Sequence, residues 1–190
     1  MRKMLLHVVA LLTLLALTSA LATAPQALAD ATRCRGALGT VTVGDLVVPA
    51  DATCTLNGTT VRGNISVRSG ATLDATGVSV RGNVQSDGHA AVAVDGASKV
   101  AGSIQLQRGG AFSILDTAVG GDIQVDENRG ASILDANTVG DDVHVIRHRD
   151  GVSITDNQID GNLQCRDNVP APTGGGNVVQ GNVDGQCRRL

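Results

Sequence analysis

One feature constrains this chain more than any other: a seven-residue unit that returns every 19 or 20 residues. Val61-Arg62-Gly63-Asn64-Ile65-Ser66-Val67 is echoed from Val80, Val100, Val119, Val139, Ile159 and Val179. A fixed period of this length is the signature of a solenoid, in which one unit cannot bury its apolar face alone and stacking supplies the core. Within each unit apolar and polar residues alternate. Ile65, Val84, Ile104, Ile123, Val143, Leu163 and Val183 form one apolar row, and Val67, Ser86, Leu106, Val125, Val145 and Cys165 form the next. Ser66, Gln85, Gln105, Gln124, His144 and Gln164 stand between them. A period of two means strands with one buried face. A second apolar patch follows in each unit, as in Ala91-Val-Ala-Val94, Phe112-Ser-Ile114 and Val152-Ser-Ile154.

Short strands, Gly-rich corners and no helical stretch predict an all-β fold. The expected architecture is a single-domain parallel β-helix of about eight coils, a rod roughly 35–40 Å long at ~4.8 Å per coil. Val43-Gly-Asp-Leu46 reads as a shortened early copy, so 38–60 is expected to form the N-terminal coil and cap, with regular coils over 61–165. Beyond Cys165, two prolines and three glycines interrupt the pattern, and 166–190 is expected to be a loop and C-terminal cap. The glycines at 63, 82, 102, 121, 161 and 181 are read as corner residues needing unusual backbone angles. Asn137, Asn157 and Asn177 are either a stacked hydrogen-bonding ladder or simple turn formers.

Arg2 and Lys3, an apolar run from Met4 and a closing Ala27-Leu28-Ala29 predict a secretory signal peptide over 1–29. The remaining segment, 30–190, is the expected β-helix domain, with no membrane span after cleavage. It holds one lysine, Lys99, and more carboxylates than cations, so no basic surface suits nucleic acid. Phe112 is its one aromatic residue, which removes the stacking platform that sugar- and base-binding sites usually use. Four cysteines in an exported chain read as two disulfides. Cys34 with Cys54, and Cys165 with Cys187, would each close one end of the rod.

The repeat, the leader and the tail Cys165…Pro-Ala-Pro-Thr-Gly-Gly-Gly-Asn…Cys187 together resemble a family of uncharacterised small secreted actinobacterial parallel β-helix repeat proteins. That resemblance implies the fold and export, and no activity or cofactor. The V-x-G-[ND]-[IV]-x-V unit also resembles, in repeat style only, the bactofilins, which are polymer-forming β-helical scaffolds.

One cluster carries possible chemistry. Asp122, Asp126, Asp142 and His144 are expected on one outer face, where a pectinase-like β-helix enzyme would place paired acids for calcium or for acid–base work. The simpler reading is that Asp122 and Asp142 stand in for the Asn of other units, at 64, 83 and 162. Asp126-Glu-Asn-Arg-Gly130 and Arg147-His-Arg-Asp150 read as solvated corners, the first with a partial calcium loop as its alternative, though the rest of the EF-hand spacing is missing, and the second with anion binding. The expected function is a secreted, non-catalytic structural or cell-surface interaction protein with no cofactor, meeting a cell-envelope polymer or protein. The alternatives are the pectinase-like enzyme and the bactofilin-like polymer.

Overall fold

A computed structural model describes residues 31–190; the leader expected over 1–29 lies outside the described residues. The described chain is an all-β solenoid of parallel strands, wound as three sheets of nine, eight and eight strands. The first sheet contains Ile65–Val67, Val84–Asp87, Ile104–Gln107, Ile123–Asp126 and Val143–Ile146. The second contains Thr72–Thr76, Ala91–Asp95, Ala111–Leu115 and Ser132–Asp135. The third is built from two-residue strands such as Ser79–Val80 and Lys99–Val100. Each coil visits the three sheets in turn, so every strand pairs with its counterpart one coil away.

The register follows the alternation. Ile104, Ile123 and Val143 stack inward, while Gln105, Gln124 and His144 stack on the outer face. A one-residue slip would turn every apolar residue to water, which is why so regular a pattern holds one register. Small β-branched residues fill the narrow interior, and burying each contributes about 1.5–3 kcal/mol. Phe112 is the exception in size. The residue stacked on it is Ser132, whose small side chain leaves room for the ring and whose hydroxyl accepts the Phe112 N–H at 3.1 Å. The ring then meets His148 edge-on, with centroids 5.4 Å apart.

Both ends differ from the sequence-based expectation in one respect. The segment ahead of the expected N-terminal coil at 38–60 is itself part of the stack: Thr32–Arg33 joins the first sheet and Gly36–Leu38 the second. In the C-terminal segment, Thr173–Gly175 pairs with the strand Val152–Thr155 as the last strand of the second sheet. A Gly-rich segment can serve there because a terminal strand pairs on one side only, and both prolines fall before it.

Disulfides link Cys34 to Cys54 and Cys165 to Cys187, with Cα separations of 5.5 and 5.1 Å. All four cysteines are buried, two at each end of the stack. In the chain-entropy picture each closed loop, spanning 20 or 22 residues, contributes about 3 kcal/mol. Disulfides accord with an oxidising compartment. Among the described residues no helix is long and apolar enough to cross a membrane.

Candidate functional site

A solenoid of this kind has no interior to spare, so any site must lie on its faces or corners. The corner leading into the first sheet carries a continuous ladder. Asp45, Asn64, Asn83, Ser103, Asp122, Asp142 and Asn162 each accept, through a side-chain oxygen, the backbone N–H of the next member, at 2.7–3.0 Å; Asn182 ends the series. An accepting oxygen is all this position requires, and a carboxylate, an amide or a hydroxyl supplies it. Asp122 and Asp142 therefore occupy the structural place of Asn.

The glycines beside this ladder are there for space. None of them has a positive φ. A Cβ on Gly82 would lie 2.8 Å from the Gly63 carbonyl oxygen, and one on Gly102 would lie 2.8 Å from that of Gly82. The expectation of unusual backbone angles at these positions is corrected accordingly. The member that is not glycine, Asp141, reaches the Gly121 carbonyl at 3.3 Å, against 3.0 Å for Gly82 to Gly63.

The acidic cluster does not assemble as one patch. Asp122 and Asp126 lie at opposite ends of one strand, and four residues of extended chain separate them by ~13 Å. Asp142 and His144 stay with Asp122: His144 Nε2 is 3.7 Å from Asp142 Oδ2, and Gln124 Nε2 donates to Asp122 Oδ2 at 3.2 Å. Asp126 accepts from Arg147 at 2.6 Å and meets His144 only across a small depression that Gln124 also lines. Among the described residues no three His, Cys, Asp or Glu side chains converge to hold a metal ion. The outer face of the first sheet carries only shallow depressions. One, about 280 Å³, is lined by Ser66, Gln85, Ser86, Gln105 and Gln107 among others, and Gln85 donates to Gln105 across it at 2.9 Å; a larger one, about 630 Å³, lies at the N-terminal end against Arg33, Val47, Pro49 and Arg68.

The corner between the first and second sheets holds what the sequence reading missed. Asn128 and His148, taken as parts of solvated corners, are buried, with His148 only 1% exposed. They belong to an inward column with His89, Gly109 and Asn168, one member per coil, five residues after each leading strand residue. Asn128 accepts from the Gly109 N–H and donates to the Leu106 carbonyl, both at 2.8 Å. Asn168 does the same with His148 and Val145. Gln186, from the terminal 3-10 turn Gln186–Arg189, takes the place of the next coil's residue by accepting from Asn168.

His148 Nε2 lies 2.9 and 3.1 Å from the carbonyls of Gly130 and Gly151. Carbonyls only accept, so Nε2 carries the hydrogen. Among the described residues Nδ1 has no hydrogen-bond partner, and neither ring nitrogen of His89 has one. Burial lowers both pKa values, offset only in part by the neighbouring backbone of Gly110 for His89 and of Gly130 and Gly151 for His148. The His89 ring also fills the space over Gly109, where no side chain could fit. A fixed offset from the strand was the available signal for this column, but His, Gly and Asn share no hydropathy that would mark it as buried.

Above the buried column the same corner is charged. Arg108, Glu127, Arg129, Arg147 and Arg149 line an open depression of about 410 Å³. Arg108 bonds Asp87 through two nitrogens, and that hydrogen bond raises its pKa further. Arg147 bonds Asp126 and Glu127. Arg129 and Arg149 are exposed and form no ion pair among the described residues.

Fold and surface together define a disulfide-closed parallel β-solenoid whose surface is built from stacked columns of like residues. Comparison with known proteins finds no matching family model, curated protein or solved structure.

Proposed function

We propose that this chain is a secreted, non-catalytic protein with a structural or surface-interaction role, whose partner is a cell-envelope polymer or protein. The observation that carries the reading is the unbroken stack. Strand follows strand through all three sheets, and among the described residues the stretches between strands are short, the longest lying between Arg166 and Thr173. A binding cleft for a small substrate usually buries most of its ligand, and the depressions here are open. What the fold offers instead is long, flat, periodic faces, suited to an extended partner. The two disulfides and the expected leader support export, and the resemblance to small secreted β-helix repeat proteins is carried forward on the same footing.

The test is binding of the purified chain, residues 30–190, to isolated cell-envelope fractions, with the reduced and unfolded protein as control. The folded protein is expected to be retained and the unfolded one lost. Equal retention of both, or none of either, would count against the reading.

A further inference from the structure

We infer that the arginine corner is a binding site for a linear phosphate-bearing polyanion, laid along the rod axis across Arg129 and Arg149 and steered by Arg108 and Arg147. This deepens the surface-interaction reading and rests on it.

The site is positioned by the coil geometry. Arg129 and Arg149 occupy the same place in consecutive coils, so their backbones stand ~4.8 Å apart. The Arg149 N–H bonds the Asn128 carbonyl just as the Arg129 N–H bonds the Gly109 carbonyl, both at 2.9 Å, so the two side chains leave the corner in the same sense. Beside them, Arg108, Glu127 and Arg147 hold left-handed backbone with φ of 49°, 54° and 50°. Asn128 and His148, buried beneath, fix the corner through the hydrogen bonds already described. Four guanidinium groups therefore line one depression; Arg108 and Arg147 are offset by Asp87, Asp126 and Glu127, which leaves Arg129 and Arg149 without a carboxylate partner among the described residues.

The chemistry of the ligand follows from what is left unsatisfied. Arg108 and Arg147 already have carboxylate partners, whereas Arg129 and Arg149 have none among the described residues. Two forks aimed at one place suit an anion with several acceptor oxygens, which favours phosphate. The depression is open, and single exposed ion pairs contribute only about 0.2–1 kcal/mol. One free anion would therefore bind weakly. Affinity requires a chain of anions that engages several coils at once, so that each further contact becomes intramolecular. The excess of carboxylates elsewhere on the chain would confine such a polymer to this corner.

A built-in control exists. Arg62 and Arg81 are also exposed arginines in equivalent positions of consecutive coils, at the corner into the first sheet, but without flanking arginines. Binding of inorganic polyphosphate to the chain 30–190 is measured by titration over a series of salt concentrations. The comparison is with R129Q/R149Q and with R62Q/R81Q, which change net charge equally. The melting temperatures of both variants should match that of the parent. R129Q/R149Q is expected to weaken binding at least tenfold at low salt and to flatten the log–log salt dependence by about 1.5. R62Q/R81Q should cost less than threefold. No binding by the parent, or equal losses in the two variants, would overturn the site. Polyglutamate binding as tightly as polyphosphate would overturn the phosphate assignment, and monomeric phosphate matching the polymer would overturn the polymeric one. Polyphosphate binding without envelope retention would keep the site and remove the surface-interaction reading. Envelope retention untouched by R129Q/R149Q would keep the surface-interaction reading and overturn this corner as its contact.

Discussion

Two ladders run the length of this rod and differ in what they tolerate. The more exposed one, half-buried from Asn64 to Asn162 and open at Asp45 and Asn182, mixes Asp, Asn and Ser freely. The inner one, at the corner between the second and third sheets, reads Thr59, Val78, Ser98, Thr117, Asn137, Asn157 and Asn177, with no carboxylate at all, and its members bond one to the next from Thr117 to Asn177. The difference lies in the number of bonds each side chain must make. On the exposed ladder an accepting oxygen is enough, and water completes the rest. On the buried ladder, Asn157 accepts the Asn137 N–H at 3.0 Å and donates to both the Leu134 carbonyl and Asn177 Oδ1, each at 3.0 Å. Asn137 and Asn177 likewise accept and donate, and Ser98 does so with one hydroxyl. At the asparagines and at Ser98, burial turns a one-bond requirement into a two-sided one, which a group that is both donor and acceptor meets and a carboxylate does not.

The sharpest way to break this comparison is to place Asp in the buried ladder. Asn157→Asp keeps the shape and the acceptor but removes the donor, setting a buried carboxylate against the Leu134 carbonyl and Asn177 Oδ1. A buried, unpaired charge costs several kcal/mol, a large share of the stability of a small domain. The variant is expected to unfold at far lower denaturant than the parent at neutral pH. Acid should narrow the gap, because a protonated carboxyl regains a donor. Urea titrations at several pH values check both statements, and a loss below ~1 kcal/mol at neutral pH would show that the ladder is not held by its donors.

A smaller effect is expected from the other buried column, where His148 stands among asparagines. Its Nε2–H is satisfied, but protonation would add a second donor, at Nδ1, with nothing to receive it. Burial lowers the pKa of His148, and of His89, in the folded state. In the unfolded chain both titrate near the ordinary value of about 6.5. Between the two values the unfolded state binds more protons, so stability falls as pH falls. It should be complete above about 6.5 and decline below it. His148→Asn, which copies Asn128 and Asn168, should flatten part of that decline. An unchanged pH profile of thermal melting would remove His148 from the account.

How much of this was legible in the sequence follows the same division. The period, the inward rows and the end disulfides could be read directly, because alternation and spacing report burial along a strand. Asn137, Asn157 and Asn177 were recognisable as a possible ladder, since like residues recur at a fixed offset. Asn128 and His148 were not recognised, because a corner residue's burial depends on how the turn folds inward, and their polar neighbours suggested solvent. The acidic cluster was half right. Stacking does bring Asp122 and Asp142 together, but strand rise carries Asp126 to the far corner and to Arg147. Thr173–Gly175 escaped notice as a strand because its composition argues against one, and only its place at the end of a sheet allows it.

The smallest expected effect closes the comparison from the tolerant side. Asp122 and Asp142 each offer Oδ1 to a backbone N–H of the next coil, at 3.0 and 2.7 Å. An Asn at either position would present the same oxygen, as Asn162 does to Asn182 at 2.9 Å. Asp122→Asn loses a charge-assisted bond and relieves the repulsion between stacked carboxylates, two small changes of opposite sign. The net change should lie within about 0.5 kcal/mol for each variant, or under ~2 °C in melting temperature for a domain of this size. The same experiment separates the structural reading from the enzymatic alternative. A ligand raises the melting temperature only by binding the folded state, so millimolar calcium should leave parent and double variant alike. A rise of many degrees in the parent, absent from Asp122→Asn/Asp142→Asn, would make these carboxylates a cation site and restore the pectinase-like reading. Its absence, with both variants melting as the parent does, would leave the exposed ladder what the buried one is not: a row of interchangeable acceptors.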